Sequence, residues 1–287
     1  MDTVKEKKGH LKAVKLIKRF HQAGREPLVV LKDCSLSVEP GKLNVLIGTS
    51  GCGKSTLANI LAGYDRPNSG RITMDGTPLN GSGPDRLMVF QETALWPWMT
   101  VIDNVIFGPT VRGEMSKKKA KTEATRILEL VGLQDFCEKY PAQLSGGMQR
   151  RAELARALIN NPKVMIMDEP FRGLDDMTRE LMQEYYLKIF DESHCTTLFI
   201  TAEIEEAIFL ADRILIMTYL PGSIKTVIEV DLPRPRDYRV LTSKRYLEIK
   251  GETLECLHEE GQKSFGDECN IASSMVAEFR RLAKEVE

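Results

Sequence analysis

The segment Gly48–Ser55 matches the pattern G-x-x-x-x-G-K-[ST], which forms loops that bind phosphate groups. Its glycines allow the backbone to turn N–H groups toward phosphate oxygens. Apolar residues 43–47 before the motif predict a buried parallel strand, and residues 56–62 after it predict a helix. The N-terminus of that helix would face the phosphates. The strand–loop–helix context therefore predicts an α/β fold with a phosphate site.

Three side chains of this loop have predicted roles that follow from their chemistry. Lys54 supplies a mobile positive charge for the outer phosphates, and Ser55 offers a hydroxyl to Mg²⁺. Cys52 occupies a variable position of the motif, where a small space-filling residue is a simpler interpretation than a nucleophile.

Length and composition limit the protein classes to consider. The chain has 287 residues and a formal net charge of −1, enough for one large domain or two modest ones. Near-neutral charge argues against broad nucleic-acid binding. The sequence shows neither a membrane-spanning apolar run nor the apolar core of a signal peptide, so we expect a cytosolic protein with peripheral membrane contact. Six scattered cysteines without a C-x-x-C pair indicate reduced thiols.

Polar side chains follow two more predicted strands. Gln91 follows the strand 87–90, and Asp168 and Glu169 end an apolar strand that begins at residue 164. Ligands of open α/β sheets bind at the carboxyl ends of the strands. Asp168 therefore suits Mg²⁺ coordination, and Glu169 suits orienting or deprotonating an attacking water. A capping acid after a strand is the structural alternative.

Residues 92–160 have a helical pattern that differs from the rest of the chain. A helix is predicted over 116–131, with Ser116 as its N-cap. A second helix follows the segment 144–147, Leu-Ser-Gly-Gly, whose serine is a suitable N-cap and whose glycines leave the helix N-terminus open to phosphate. We predict a mainly helical insertion into the α/β domain.

The two ends of the chain carry weaker signals. Residues 11–17 alternate loosely, which predicts an edge strand, and Phe20 after them could either stack on adenine or pack in the core. The chain after about residue 233 is charged and predicted to be helical. It carries no chemical motif and is interpreted as a C-terminal appendage.

The motifs stand in an order that resembles the ATP-binding subunit of ABC transporters over residues 11–235. That order is the phosphate loop, Gln91, Leu-Ser-Gly-Gly, the Asp-Glu pair, and Gly-Leu-Asp ending at Asp175. The stretches 89–101, 206–213 and 231–237 resemble the importers of nitrate, sulfonates, taurine and bicarbonate.

The resemblance implies a fold and two segments. An ABC ATPase domain over 1–235 would combine a P-loop NTPase core with a mixed sheet, an N-terminal antiparallel β subdomain and the helical insertion of residues 92–160. Residues 236–287 would form the C-terminal helical appendage.

The resemblance also implies roles for individual residues. Glu169, Gln91 and Lys54 would be catalytic, and Mg²⁺ would be held by Ser55, Gln91 and Asp168. Phe20 would stack on adenine, and Asp175 would link the two sites of a head-to-tail dimer. The residues implied to bind ATP are Phe20, Gly48, Thr49, Ser50, Gly51, Cys52, Gly53, Lys54, Ser55, Thr56, Gln91 and Asp175, with Ser145, Gly146 and Gly147 supplied from the opposite subunit.

Partners follow from the same resemblance. The chain would form a homodimer, or a heterodimer with a second ABC ATPase, when ATP is bound. It would act on two transmembrane permease subunits at the cytoplasmic face of the membrane, and indirectly on a solute-binding protein. Residues 96–98, Trp-Pro-Trp, would lie near the permease docking surface, although packing in a local core is the alternative.

One position departs from the family pattern. The strand 198–200 is followed in the family by Thr-His-Asp, whereas this chain has Thr-Ala-Glu, with Ala202 in place of the histidine that contacts the γ-phosphate. His194 lies at the other end of the strand. Hydrolysis could be slow with another group helping, a second ATPase chain could supply the active site, or an engineered substitution could trap ATP. The rival functions are a non-transport ABC ATPase and a weakly hydrolysing regulatory subunit.

Overall fold

Two sheets organise this computed structural model, which describes residues 9–21, 24 and 26–263. The strands are β1 (Leu11–Phe20), β2 (Leu28–Val38), β3 (Leu43–Ile47), β4 (Ser69–Met74), β5 (Thr77–Pro78), β6 (Arg86–Val89), β7 (Val164–Asp168), β8 (Thr196–Thr201), β9 (Arg213–Met217) and β10 (Ile224–Glu229). The helices are α1 (Lys54–Ala62), α2 (Val101–Val111), α3 (Lys117–Leu130), α4 (Gly146–Leu158), α5 (Asp176–Ser193), α6 (Ile204–Leu210) and α7, over 244–263.

The larger sheet has the strand order β10-β9-β3-β8-β7-β6 and carries the phosphate loop near its middle. Its strands are parallel except β10, which runs antiparallel to β9. β3, β7 and β8 are buried along their whole length, which explains their near-continuous apolar sequences. Because these strands are parallel, the residues that follow β3, β6, β7 and β8 meet at one edge. The predicted α/β fold with a mixed sheet is confirmed.

The smaller sheet is antiparallel, with the strand order β2-β1-β4-β5. The prediction that residues 11–17 form an edge strand is wrong, because β1 pairs with β2 on one side and with β4 on the other. The second partner follows α1 in sequence, so the local pattern of β1 contains no sign of it. The implied antiparallel β subdomain is present.

The predicted helical insertion contains α2, α3 and α4, which share a hydrophobic cluster that Ile189 of α5 also joins. The Ser116 hydroxyl accepts a hydrogen bond from the Lys119 N–H at 3.3 Å, as predicted for an N-cap. The apolar face of α3 is buried, including Ala120, Ala124 and Ile127. Sequence reasoning did not identify α2, α5 or β10.

The described cysteines are free thiols, in agreement with the predicted reduced state. Cys34 and Cys52 are buried, and burial raises the pKa of Cys34 to about 12. The sixth cysteine, Cys269, lies outside the described residues, as do residues 264–287 of the predicted appendage. No helix in the described part of the chain is both long and apolar enough to cross a membrane.

Helix α7 is held to the core through a buried carboxylate. The Glu260 side chain is 1% exposed and accepts hydrogen bonds from the Tyr219 N–H at 2.9 Å and from Lys263 Nζ at 2.7 Å. Lys225 Nζ lies 2.9 Å from the same carboxylate. Burial acts to raise the pKa of Glu260, but these partners outweigh it and lower the pKa to about 2.

We therefore expect Glu260→Gln to lower the free energy of unfolding by about 2 kcal/mol at neutral pH. The folded-state pKa lies below the usual value of 4.5, so the ionised carboxylate favours the folded state. Its contribution is complete above pH 4.5 and is lost as the pH falls toward 2. Urea unfolding of the unmodified chain and of Glu260→Gln at several pH values measures the difference in free energy of unfolding. Glu259→Gln is the control, because Glu259 is an exposed partner of Lys225. A difference that does not change with pH would contradict the prediction.

Candidate functional site

The phosphate loop connects the buried end of β3 to the start of α1. Gly53 precedes α1 with φ of 104°, a conformation that favours glycine, and a Cβ there would lie 3.0 Å from a methyl group of Val30. Lys54 is 6% exposed, and its Nζ donates hydrogen bonds to the carbonyl oxygens of Gly48 at 2.8 Å and Thr49 at 3.0 Å. The loop therefore encloses a positive charge, as a phosphate site requires.

Cys52 packs against the inside of this loop, next to Gly48. It is fully buried, and its Sγ would lie 2.8 Å from a Cβ placed on Gly48. Burial raises the pKa of the Cys52 thiol, while the nearby charge of Lys54 acts in the opposite direction. A thiolate is the reactive form of cysteine. The geometry thus agrees with the space-filling interpretation of Cys52.

The acidic residues predicted at the end of β7 lie beside the loop. The Asp168 carboxylate is buried, and its Oδ1 has no hydrogen-bond partner among the described residues. Burial raises the pKa of Asp168, while a hydrogen bond from Ser55 and the charge of Lys54 lower it. A buried, unpaired carboxylate oxygen next to a hydroxyl is a ligand set that fits Mg²⁺.

Glu169 follows directly, in an unusual backbone conformation with φ of 44°. Its N–H donates to the carbonyl of Ile200 on β8 at 2.9 Å. Its carboxylate accepts a hydrogen bond from Arg172 Nη1 at 2.8 Å. Non-glycine residues with positive φ persist only when the surrounding structure holds them, and they cluster at functional sites.

Gln91 and Phe20 are both exposed. Gln91 is exposed two residues after the end of β6, the neighbour of β7, so it lies at the same edge of the sheet as Asp168. Phe20 ends β1 and is 40% exposed, with Lys18 Nζ 5.0 Å from its ring centroid. This exposure favours an available ring over a core residue.

The segment 145–147 packs against the start of α5, next to Asp175, and not against the phosphate loop. The Ser145 hydroxyl caps α4 by accepting from the Met148 N–H at 3.3 Å. A Cβ on Gly147 would lie 3.0 Å from Thr178, and Asp175 accepts from the N–H of Thr178 at 3.0 Å. Within the described residues, no contact joins the Ser145 hydroxyl to the phosphate loop of the same chain.

A cavity of about 230 Å³ lies at the end of β8. Ala202, which stands in place of the family's histidine, lines it. Its lining residues are Ser50, Glu169, Phe171, Arg172, Gly173, Arg179, Thr201, Ala202, Glu203 and Glu206. His194 ends α5 before β8 begins, so it lies at the opposite end of that strand from Ala202, as predicted.

Sequence reasoning gave no site role to three charged residues of this cavity, Arg172, Arg179 and Glu206. Glu206 is buried and accepts a hydrogen bond from Gln183 Nε2 at 3.0 Å, and burial raises its pKa. Arg172 pairs with Glu169, and the only sequence signal was its position three residues after that acid. Glu206 begins the stretch 206–213 that carries the importer resemblance, but that resemblance did not indicate a place in the site.

Comparisons with known proteins agree with this geometry. The profile of the ABC transporter family matches residues 31–172. The nitrate import ATP-binding protein NrtD of Synechococcus elongatus is 43% identical over 237 residues, which cover 82% of this chain and 86% of that protein. The bicarbonate transport ATP-binding protein CmpD of the same species is 40% identical over 248 residues, covering 85% and 89%.

Solved structures show the same fold. A dimeric ATP-binding cassette in a post-hydrolysis state, bound to ADP and Pi, aligns with a TM-score of 0.68 and 29% identity, over 78% of this chain and 100% of that chain. A component of another ABC transporter complex aligns with a TM-score of 0.70 at 24% identity, covering 86% and 96%, which supports the fold alone.

Proposed function

Because this chain belongs to the ABC transporter family as an ATP-binding subunit with ATPase activity, we propose that it powers an importer for a small solute such as nitrate, a sulfonate, taurine or bicarbonate. The observation that carries the proposal is 43% identity to a nitrate import subunit over most of both chains. A non-transport role or a purely regulatory role is not favoured, since the named relatives are transport subunits.

The proposed site assigns ATP to the loop 48–56, with the adenine stacked on Phe20. The buried charge of Lys54 and the position of the loop at the N-terminus of α1 support phosphate binding there. Ser55, Gln91 and Asp168 would hold Mg²⁺, which supplies positive charge next to the phosphates. The unpaired oxygen of Asp168 supports this assignment.

Glu169 is the proposed general base of hydrolysis. Its carboxylate lies at the carboxyl end of β7, next to Asp168, and lines the same cavity as Ser50 of the phosphate loop. A carboxylate in this place can accept the proton of a water that attacks the terminal phosphate. Gln91, just beyond the end of the neighbouring strand β6, would sense that phosphate.

The proposed active form is a head-to-tail dimer, either with an identical chain or with a second ATPase chain. Ser145, Gly146 and Gly147 lie apart from the phosphate loop of their own chain, which supports their use in the opposite site. The dimeric cassette of similar fold supports the same assembly. Asp175, at the start of α5 and beside these glycines, would link the two sites.

ATP binding would close this dimer, and hydrolysis would reopen it. The cycle would move two transmembrane permease subunits at the cytoplasmic face of the membrane, and through them serve a solute-binding protein. The names of the relatives support such peripheral association. The solute is read by those partners and is not determined by this subunit.

The proposed permease contact is an aromatic surface formed by Trp96, Trp98 and Phe107. The two tryptophan ring centroids lie 5.2 Å apart, and Trp98 is 66% exposed, which argues against packing in a local core. Phe107 contacts Trp96 edge-on with ring centroids 6.1 Å apart. Exposed tryptophans of this kind are common anchors of protein interfaces.

Trp98→Ala is expected to reduce the amount of permease that copurifies with the tagged chain by about tenfold or more. ATP hydrolysis by the isolated chain should change less than twofold, because Trp98 is distant in sequence from every proposed nucleotide contact except Gln91. Tyr238→Ala is the matched control, since Tyr238 is an equally exposed aromatic residue next to α7. Mass spectrometry of affinity-purified membrane complexes identifies and quantifies the permease. Equal recovery with both variants would refute the docking role, and absence of any permease with the unmodified chain would refute the importer proposal.

A further inference from the structure

The cavity next to Ala202 contains a guanidinium group that the proposed mechanism leaves without a role. Arg172 lines this cavity together with Ser50 of the phosphate loop and the proposed base Glu169. A phosphate chain bound in the loop would place its terminal group toward this space, because Ser50 and Glu169 border it from two sides. A cation in the cavity wall is therefore close to where negative charge is greatest.

Arg172 is held by one side-chain contact, whereas the other arginine of the cavity, Arg179, is held by two. Arg179 donates to the Leu174 carbonyl at 2.9 Å and to Asp176 at 3.1 Å. Among the residues that the structure describes, the Arg172 guanidinium has one hydrogen-bonding partner, the Glu169 carboxylate at 2.8 Å, and its side chain is 64% exposed. A single pair at this exposure contributes little stability, so exchanging it for another anion costs little.

Apart from Arg172 and Arg179, the described residues that line the cavity include no cation. Ala202 presents only a methyl group, and Glu203 and Glu206 are acidic. Lys54 is engaged by two loop carbonyls. A terminal phosphate that reaches this cavity would therefore meet Arg172 as its nearest mobile positive charge. Guanidinium can bind phosphate oxygens through two parallel hydrogen bonds. Arg172 makes only one hydrogen bond to Glu169, from Nη1, so its other N–H groups are available to a phosphate.

We propose that Arg172 is a phosphate-binding residue of this ATPase site, an inference that rests on the proposed function. In the state described here its guanidinium is held by Glu169. When ATP is bound, the guanidinium transfers to the terminal phosphate and occupies the space beside Ala202. The same movement releases the Glu169 carboxylate, which can then accept a hydrogen bond from the attacking water. ATP itself thus prepares the base, and ADP, which lacks that phosphate, does not.

The test compares nucleotides that differ in the terminal phosphate. Binding of a non-hydrolysable ATP analogue and of ADP, each with Mg²⁺, is measured by calorimetry for the full chain and its variants. Arg172→Ala should weaken binding of the analogue by about tenfold or more, the usual size of a lost hydrogen bond to a charged group. Binding of ADP should change by less than twofold, and Arg172→Lys should give an intermediate loss of the analogue.

Arg126→Ala is a closely matched control. Arg126 is also 64% exposed and also pairs at 2.8 Å with a glutamate three residues before it, Glu123. It lies on α3, outside the cavity, so its loss should leave the binding of both nucleotides unchanged. An equal effect of Arg172→Ala on the analogue and on ADP, or no effect on either, would overturn the inference.

A second comparison separates this inference from the proposed function. Ala202→His should increase the ATPase rate by a larger factor in the Arg172→Ala background than in the unmodified chain, because the two cations serve the same phosphate. Equal factors in both backgrounds would overturn the role of Arg172 while leaving the ATPase assignment intact. Failure of the unmodified chain to bind the analogue would overturn the proposed function and this inference together.

Discussion

Glu169→Gln is expected to reduce the steady-state ATPase rate by about 10²–10⁴-fold while leaving ATP binding in place. The glutamine amide keeps the size of the side chain but cannot accept a proton from water. The position of Glu169 is set by its backbone hydrogen bond to Ile200, which the substitution retains. The phosphate loop and Asp168 remain intact, so nucleotide affinity should change little. Phosphate release at saturating ATP and Mg²⁺ measures the rate, and equilibrium binding measures the affinity.

The control for this prediction is Glu203→Gln, which removes another carboxylate from the same cavity. Because Glu203 follows β8 and is exposed, its loss should alter the rate by only a few-fold. Chromatography of Glu169→Gln with ATP adds a second readout, since a chain that binds ATP without hydrolysing it should accumulate as a dimer. Substantial residual hydrolysis in Glu169→Gln would assign the base to a different group.

Ala202→His is expected to raise the ATPase rate by about tenfold. A single hydrogen bond to charge that develops in the transition state is worth about 10²–10³ in rate, and Arg172 already supplies part of it by our inference. Ala202 is exposed at the edge of the cavity, so a larger side chain fits without displacing the core. Steady-state phosphate release, compared with Ala202→Asn as a polar control of similar reach, measures the gain.

The ATPase rates with and without Ala202→His distinguish the explanations for the alanine at position 202. Measurable hydrolysis in the unmodified chain, increased by histidine, would mean that the chain hydrolyses ATP with a different group assisting. No hydrolysis until histidine is present would mean that the chain depends on a second ATPase or was altered to trap ATP. A rate that is unchanged or reduced by histidine would contradict the prediction that position 202 limits turnover.

Local sequence was sufficient where one short segment specifies its own geometry. The phosphate loop, the buried strands β3, β7 and β8, and the cap of α3 at Ser116 were predicted because glycine placement, apolar runs and capping residues act over a few positions. The same reasoning failed for β1, which pairs directly with β4. β4 follows α1 in the sequence, so the residues of β1 alone do not indicate this second neighbour. Sequence reasoning also missed β10, where only one residue of the short strand is buried and the apolar pattern is correspondingly weak.

The sequence by itself determined the class of fold, the phosphate loop and the family, because these depend on motifs whose order along the chain is sufficient evidence. Only the tertiary structure showed that Asp168 keeps an unpaired oxygen beside Ser55, and that Arg172 pairs with Glu169 next to the gap left by Ala202. The Arg172–Glu169 pair is local, but the burial of Asp168 and the placing of this pair beside Ser50 and Ala202 depend on segments that are distant along the chain. They are therefore set by packing across strands and helices, which no local pattern encodes.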